Sequence, residues 1–233
     1  MNKNNDNDTR KIFGALVMVL TLMICTTSAT YAYFAIAPVS NNMATGTAAT
    51  ASLTLDVTRL TPANTKYNAS TKKMVPQLDT ALETAMNTTN ECVDGNNNIV
   101  CEVFQIKLTN GSTSQVRVSG NLTFNLTKNT SGHNFKYRLK DSSTTALTIA
   151  TAATNLASVT TTAMSNGTAV NLGTQKILAV NGVYYWYFVV WIQETNSDQS
   201  GKDAGETFRG TVNFNAVDAT GASVGGLTST ITS

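Results

Sequence analysis

Histidine is nearly absent from this 233-residue chain, which has one, His133, and charged residues make up only 13% of it. A single imidazole excludes a metal centre built from several histidines of one chain. Sixteen Lys/Arg against fourteen Asp/Glu leave a net charge of +2. Neutralising phosphates needs clustered cations, so this balance argues against a nucleic-acid partner. Catalytic signatures are missing too. There is no Gly-x-Ser-x-Gly elbow, no His-Glu-x-x-His, no phosphate-binding glycine loop and no Cys/His cluster. His133 stands in a turn-like stretch, 129–134, and reads as a surface histidine. The chain is therefore read as a non-enzyme without a cofactor. Scarce charge does not imply disorder here, because 42% of the residues are hydrophobic and can build a core.

Threonine and asparagine supply the polarity instead. Threonine favours strands and asparagine favours turns. The composition predicts a mainly β protein with many loops.

The N-terminus reads as an address. Lys3, Arg10 and Lys11 precede an apolar run from Ile12 to Cys25, and small and polar residues follow to Ala32. That is the order of a secretory signal peptide, 1–32, cut between Ala32 and Tyr33 by a signal peptidase. Cutting after Ala29 is the alternative. Left uncut, Ile12–Ala37 is long enough to form an apolar helix that anchors the chain in a membrane. Each alternative puts the body of the chain outside the cytoplasm, in the extracellular space or on the cell surface.

Cys25 would leave with the signal. Cys92 and Cys101 remain as a pair in an oxidising compartment and read as a disulfide. The residues between them, Asp94-Gly95 and an Asn run, are turn chemistry, so the bridge staples a hairpin-like loop. Asp94, Asn96 and Asn98 offer a possible Ca²⁺ loop, without the distant bidentate Glu of an EF-hand. Asp198, Asp203 and Glu206 form a second polar loop that suits a cation.

The body, 52–217, alternates apolar and polar residues as half-buried antiparallel strands do. Leu53, Leu55 and Val57 form one apolar series, and Phe104, Ile106 and Leu108 another. Val116 to Leu126, Phe135 to Leu139 and Phe208 to Ala216 continue it. These segments predict an antiparallel β-sandwich. Val183–Ile192 is apolar on both faces, so it is a central strand covered twice or one whose outer face, Tyr185, Tyr187 and Trp191, meets another subunit. Asn181-Gly182 is a two-residue hairpin signal that would pair Thr174–Val180 with that strand. One short helix is expected over Pro76–Met86, where Leu78, Ala81, Leu82, Ala85 and Met86 recur at helical spacing. Residues 141–173 are expected to be loops and short edge strands, and 218–233 a flexible tail.

Three stretches resemble a known family. They are Ala32-Tyr-Phe34, then Ser40 to Thr47, then Ala51-Ser-Leu-Thr-Leu-Asp-Val57, and together they look like the start of TasA/camelysin-type proteins. Cys92 to Cys101, Trp191 to Thr195 and Asp203 to Val212 resemble pilin-like surface proteins of Gram-positive bacteria. The resemblance implies a jelly-roll-like sandwich that polymerises into extracellular biofilm fibres. It implies a donor segment, 33–51, in which Tyr33, Phe34, Ile36, Val39 and Met43 would add as a strand to the next copy. The partners would be the chain itself and a cell-envelope or matrix component. A monomeric or membrane-anchored cell-surface adhesin is the alternative. Camelysin-like proteins have been labelled proteases, which one histidine and no zinc motif do not favour. A Lys–Asn isopeptide, known in some surface sandwiches, is left open.

Overall fold

In a computed structural model of the chain, the residues described are 43–48, 51–61, 74–89, 92–94, 99–128, 132–195, 203 and 208–232. They form two antiparallel sheets. The strands are β1 (Met43–Ala48), β2 (Ala51–Arg59), β3 (Cys101–Asn110), β4 (Val116–Leu126) and β5 (Phe135–Ser143), then β6 (Thr162–Ala163), β7 (Ala169–Leu178), β8 (Val183–Ile192), β9 (Phe208–Val217) and β10 (Ser223–Thr232). The six-stranded sheet runs β1-β2-β3-β8-β5-β6 and the four-stranded sheet β10-β9-β4-β7. Setting aside the two-residue β6, the chain changes sheet at every connection from β3 to β9, the alternation of a jelly roll.

The alternating series point inward as their period requires. Leu55, Ile106, Leu108, Leu122 and Val212 are fully buried between the sheets. Aromatic rings lock the two layers. Across the layers, Trp186 meets Phe214 at 4.9 Å and Phe124 meets Phe188 edge-on at 5.9 Å. Each such side chain contributes about 1.5–3 kcal/mol by burial alone.

The doubly apolar strand is β8, and its two faces are buried by different partners. Trp186, Phe188, Val190 and Ile192 belong to the core between the sheets. Tyr187, Val189 and Trp191 belong to a second core, with Leu82, Met86, Ala152 and Leu156. That second core lies under two helices, α1 (Leu82–Thr89) and α2 (Ile149–Ala157).

Four expectations need correction. First, α1 starts later than Pro76, after a 3-10 turn at Asp79–Ala81. The residues before it are extended because Gln77 pairs with the end of β8: its N–H donates to Ile192 O at 2.9 Å, and its carbonyl accepts from Glu194 at 3.0 Å. Second, there are two helices rather than one. In α2, Ile149, Ala152, Ala153 and Leu156 are buried at i, i+3, i+4 and i+7 spacing, and the Thr148 hydroxyl caps the start by accepting from Thr151 N–H at 3.3 Å. Third, Asn181-Gly182 does form a tight turn, with Asn181 at φ 56° and Gly182 N–H donating to Ala179 O at 2.8 Å. The turn joins strands of different sheets, however, because β7 pairs with β4 and β8 with β3 and β5. Fourth, most of the expected tail is strand: Ser223–Thr232 form β10, with Val224, Leu227 and Ile231 buried in the core.

One side chain ties two of the sheet crossings together. Asn110, at the end of β3, is fully buried. Its amide donates to the carbonyls of Ser114, Leu178 and Ala179 at 2.9, 3.2 and 3.0 Å. Its oxygen accepts from the N–H of Ser112 at 3.0 Å and from the Ser112 hydroxyl. The β3–β4 and β7–β8 crossings are therefore pinned to one residue.

Candidate functional site

The expected donor segment is only partly within the described residues. Met43 opens β1, whereas Ala32, Tyr33, Phe34, Ile36 and Val39 lie outside them. β1 is paired antiparallel with β2 of the same chain, from Met43↔Asp56 to Ala48↔Ala51. It ends the six-stranded sheet, and β10, which packs across from β1 and β2, ends the four-stranded sheet.

These two edge strands form one side of the sandwich, and its chemistry is unusual. Neither Met43–Ala48 nor Ser223–Thr232 contains a charged residue or a proline. Edge strands are normally blunted by such residues, by bulges or by shortness. Among the described residues of these two strands, the one such device is a register shift at Ser223/Gly225. The opposite side is guarded more heavily. There β7 carries Lys176 and two register shifts against β4, and β6 is two residues long.

The aromatics expected at an interface are covered by the protein's own helices. Trp191 and Tyr187 are 0% and 1% exposed, and the half-buried Tyr185 packs against the same core. The Tyr187 hydroxyl accepts from Leu147 N–H at 2.6 Å and donates to Gln105 at 3.0 Å, and burial raises its pKa. Its polar tip is thus satisfied internally, so the alternative of an outer face meeting another subunit is set aside for these residues.

Cys92 and Cys101 are bonded, with Cα atoms 5.3 Å apart. Val93 bridges Ile99 across the loop, and Val100 N–H donates to Cys92 O at 2.9 Å. This is the stapled hairpin that the turn residues suggest. Closing so short a loop contributes about 2.5 kcal/mol. Asn96 and Asn98 lie outside the described residues, so the calcium reading falls partly there. Asp198 and Glu206 lie outside as well. Asp203 spends its carboxylate on Asn134, accepting from the backbone N–H at 2.8 Å and the side-chain amide at 2.9 Å. Among the described residues no group of three or more His, Cys, Asp or Glu could hold a metal ion. His133 is half-buried beside Phe135.

Two polar clusters escaped the sequence reading. Arg138 on β5 is buried and clamps the helical layer. It donates to Asp79 at 2.5 Å, to the Thr161 hydroxyl at 3.0 Å and to Leu156 O at the end of α2 at 3.3 Å. It also lies over the Trp191 ring, 5.6 Å from the centroid. The second cluster joins the sheets. Lys176 on β7 donates to Asp141 on β5 at 2.6 Å and to the Tyr184 hydroxyl at 2.8 Å. The hydrogen bond from Lys176 holds the Asp141 carboxyl below its usual range. Partial desolvation would lower the Lys176 pKa, but the bonds to Asp141 and Tyr184 outweigh it and the pKa is raised.

Among the described residues no helix is long and apolar enough to cross a membrane, and Ile12–Ala37 lies outside them. The chain matches no protein-family model and no curated protein.

Proposed function

We propose that this chain is a secreted structural subunit of an extracellular filament or biofilm-matrix fibre. Copies would assemble head-to-tail by adding the N-terminal strand of one to the sandwich of the next. The observation that carries this reading is the unequal guarding of the two sides. Uncharged, proline-free edge strands are templates for pairing with another chain. In this molecule both lie on the β1/β10 side, while lysine, bulges and shortness protect the other. The β1–β2 pairing adds support, because a segment that pairs in cis makes the same hydrogen bonds when exchanged between copies. The TasA/camelysin-like start points the same way. A cell-surface location, processing by a signal peptidase and self-association follow from this reading.

Deletion of Tyr33–Ala48 tests it. The deleted protein is expected to unfold cooperatively, like the parent, yet to show no filaments by electron microscopy. Filaments that persist after the deletion would overturn the mechanism.

A further inference from the structure

The outward face of the four-stranded sheet is built differently from the rest of the surface. Across the four strands, the register aligns Thr228, Asn213, Asn121 and Asn171 in one row. The neighbouring row holds Thr230, Thr211 and Thr123. No residue of these rows can ionise. Arg117 and Arg209 stand beyond the rows, at opposite ends of the array. Wet sheet faces usually mix charges of both signs, and this protein does so on the six-stranded sheet, where Asp56 of β2 stands opposite Lys107 of β3.

A hollow opens in the array where β4 and β7 lose register twice, at Val118/Gly120 and Gly120/Asn121. Its volume is about 250 Å³, and its polar walls are Ser119, Asn121, Asn171, Thr174 and Asn215. Internal hydrogen bonds orient several of these groups. The Ser119 hydroxyl accepts from Gln175 N–H at 3.0 Å, which leaves its own O–H to donate outward. Asn171 accepts from Gly173 N–H at 2.6 Å. Asn121 accepts from Asn213 at 3.4 Å, and Asn213 in turn from Thr228 at 2.7 Å. Held this way, the side chains lose little further freedom when they bind a ligand.

We infer that this face binds an uncharged polysaccharide, with one sugar residue seated in the hollow and its neighbours along the rows. Three features select that class. Hydroxyl and amide groups offer donors and acceptors together, as neutral sugar hydroxyls require. The rows lack the cations that would recognise phosphate or nucleic acid and the carboxylates that would hold a metal ion. The hollow is smaller than the roughly 300–1,000 Å³ of a drug-sized site, so it suits one ring of a longer chain. This inference is independent of filament assembly.

The test is an NMR titration of the full chain with chitotetraose and cellotetraose, with tetragalacturonate as the acidic comparison. Binding of either neutral sugar should shift the side-chain amides of Asn121, Asn171 and Asn215. Asn121→Ala with Asn171→Ala should weaken it about tenfold or more, since each lost hydrogen bond costs a sizeable fraction of a decade. Thr211→Lys, a change at a half-buried, outward-facing position of the array, should weaken it without altering the remaining spectrum. The inference is overturned if neither neutral sugar shifts these amides at about 10 mM. It is equally overturned if tetragalacturonate binds as tightly, or if the same amides broaden with protein concentration alone, the sign of self-stacking through this face.

Discussion

The Arg138–Asp79 pair makes a prediction about which half of an ion pair matters more. The Arg138 side chain is 9% exposed and that of Asp79 is 38% exposed. Asp79→Ala would leave a buried guanidinium with only the Thr161 hydroxyl and the Leu156 carbonyl. It would also strip Thr161 of the carboxylate it now donates to at 2.9 and 3.0 Å. Orphaning a buried charge costs about 3–5 kcal/mol, and two surviving hydrogen bonds put this case near 3. Arg138→Met leaves a carboxylate that water can reach, and the methionine refills much of the space over Trp191. Its cost should be about 1–2 kcal/mol, from lost hydrogen bonds of roughly 1 kcal/mol each partly offset by packing. The double variant should cost little more than Arg138→Met alone, a departure from additivity of about 2–3 kcal/mol. Urea midpoints at constant slope measure all three. In a domain of this size the Asp79→Ala loss corresponds to a fall in Tm of about 6–12 °C. If Arg138→Met proves the more damaging, or if the two losses add, the reasoning from unequal burial is refuted.

Gly120 and Gly111 make a matched pair. A Cβ on Gly120 would lie 2.2 Å from a ring carbon of Phe214, which is packed on Trp186, whereas one on Gly111 would come no closer than 3.5 Å to Ser52. Gly120→Ala should cost about 1–3 kcal/mol by overpacking and Gly111→Ala close to nothing, so equal shifts in thermal unfolding would contradict this. The Lys176–Asp141 tie has a defined pH window. A carboxyl lowered below 3.8 contributes stability above that value and loses it as pH falls through the folded pKa. A lysine raised above 10.5 contributes below that value and loses it as pH rises through its own folded pKa. Asp141→Asn should therefore cost less than about 1 kcal/mol near neutrality, Asp141 being 48% exposed, and nothing in strong acid. A deficit that persists there, in urea unfolding across pH, would rule out the charge as its source.

The legible parts of the fold were those where a period meets a single environment. Leu53, Leu55 and Val57 have one wet side and one dry side, so alternation reveals them. β8 was legible as doubly buried, but its sequence cannot say that helices from the same chain supply the second cover. α2 was missed because Ala152 and Ala153 fill its buried stripe, and alanine among threonines gives little contrast. Yet Ile149 and Leu156, seven residues apart around that pair, were the available signal. β10 was missed because its apolar positions are diluted by Gly225, Gly226, Thr and Ser, and its burial depends on β9, β1 and β2 lying nearby. The turn at Asn181-Gly182 was read correctly as local chemistry, but sheet membership is decided by partners distant in sequence. Of the polar sites, the disulfide followed from cysteine count, whereas the row alignment of Asn121, Asn171 and Asn213 exists only once strand register is set.

Asn110 has a dynamic consequence. The two short crossings it pins, 111–115 and 179–182, lie at one end of the sandwich, while the connections at the other end, 127–134 and 193–207, are longer. Sub-global opening follows the path that breaks the fewest buried bonds. The two sheets should therefore part like the covers of a book, with the spine at Asn110. Amide hydrogens of Asn110, Ser112 and Gly182 should then exchange with solvent among the last, and those around Leu126 and Phe208 earlier.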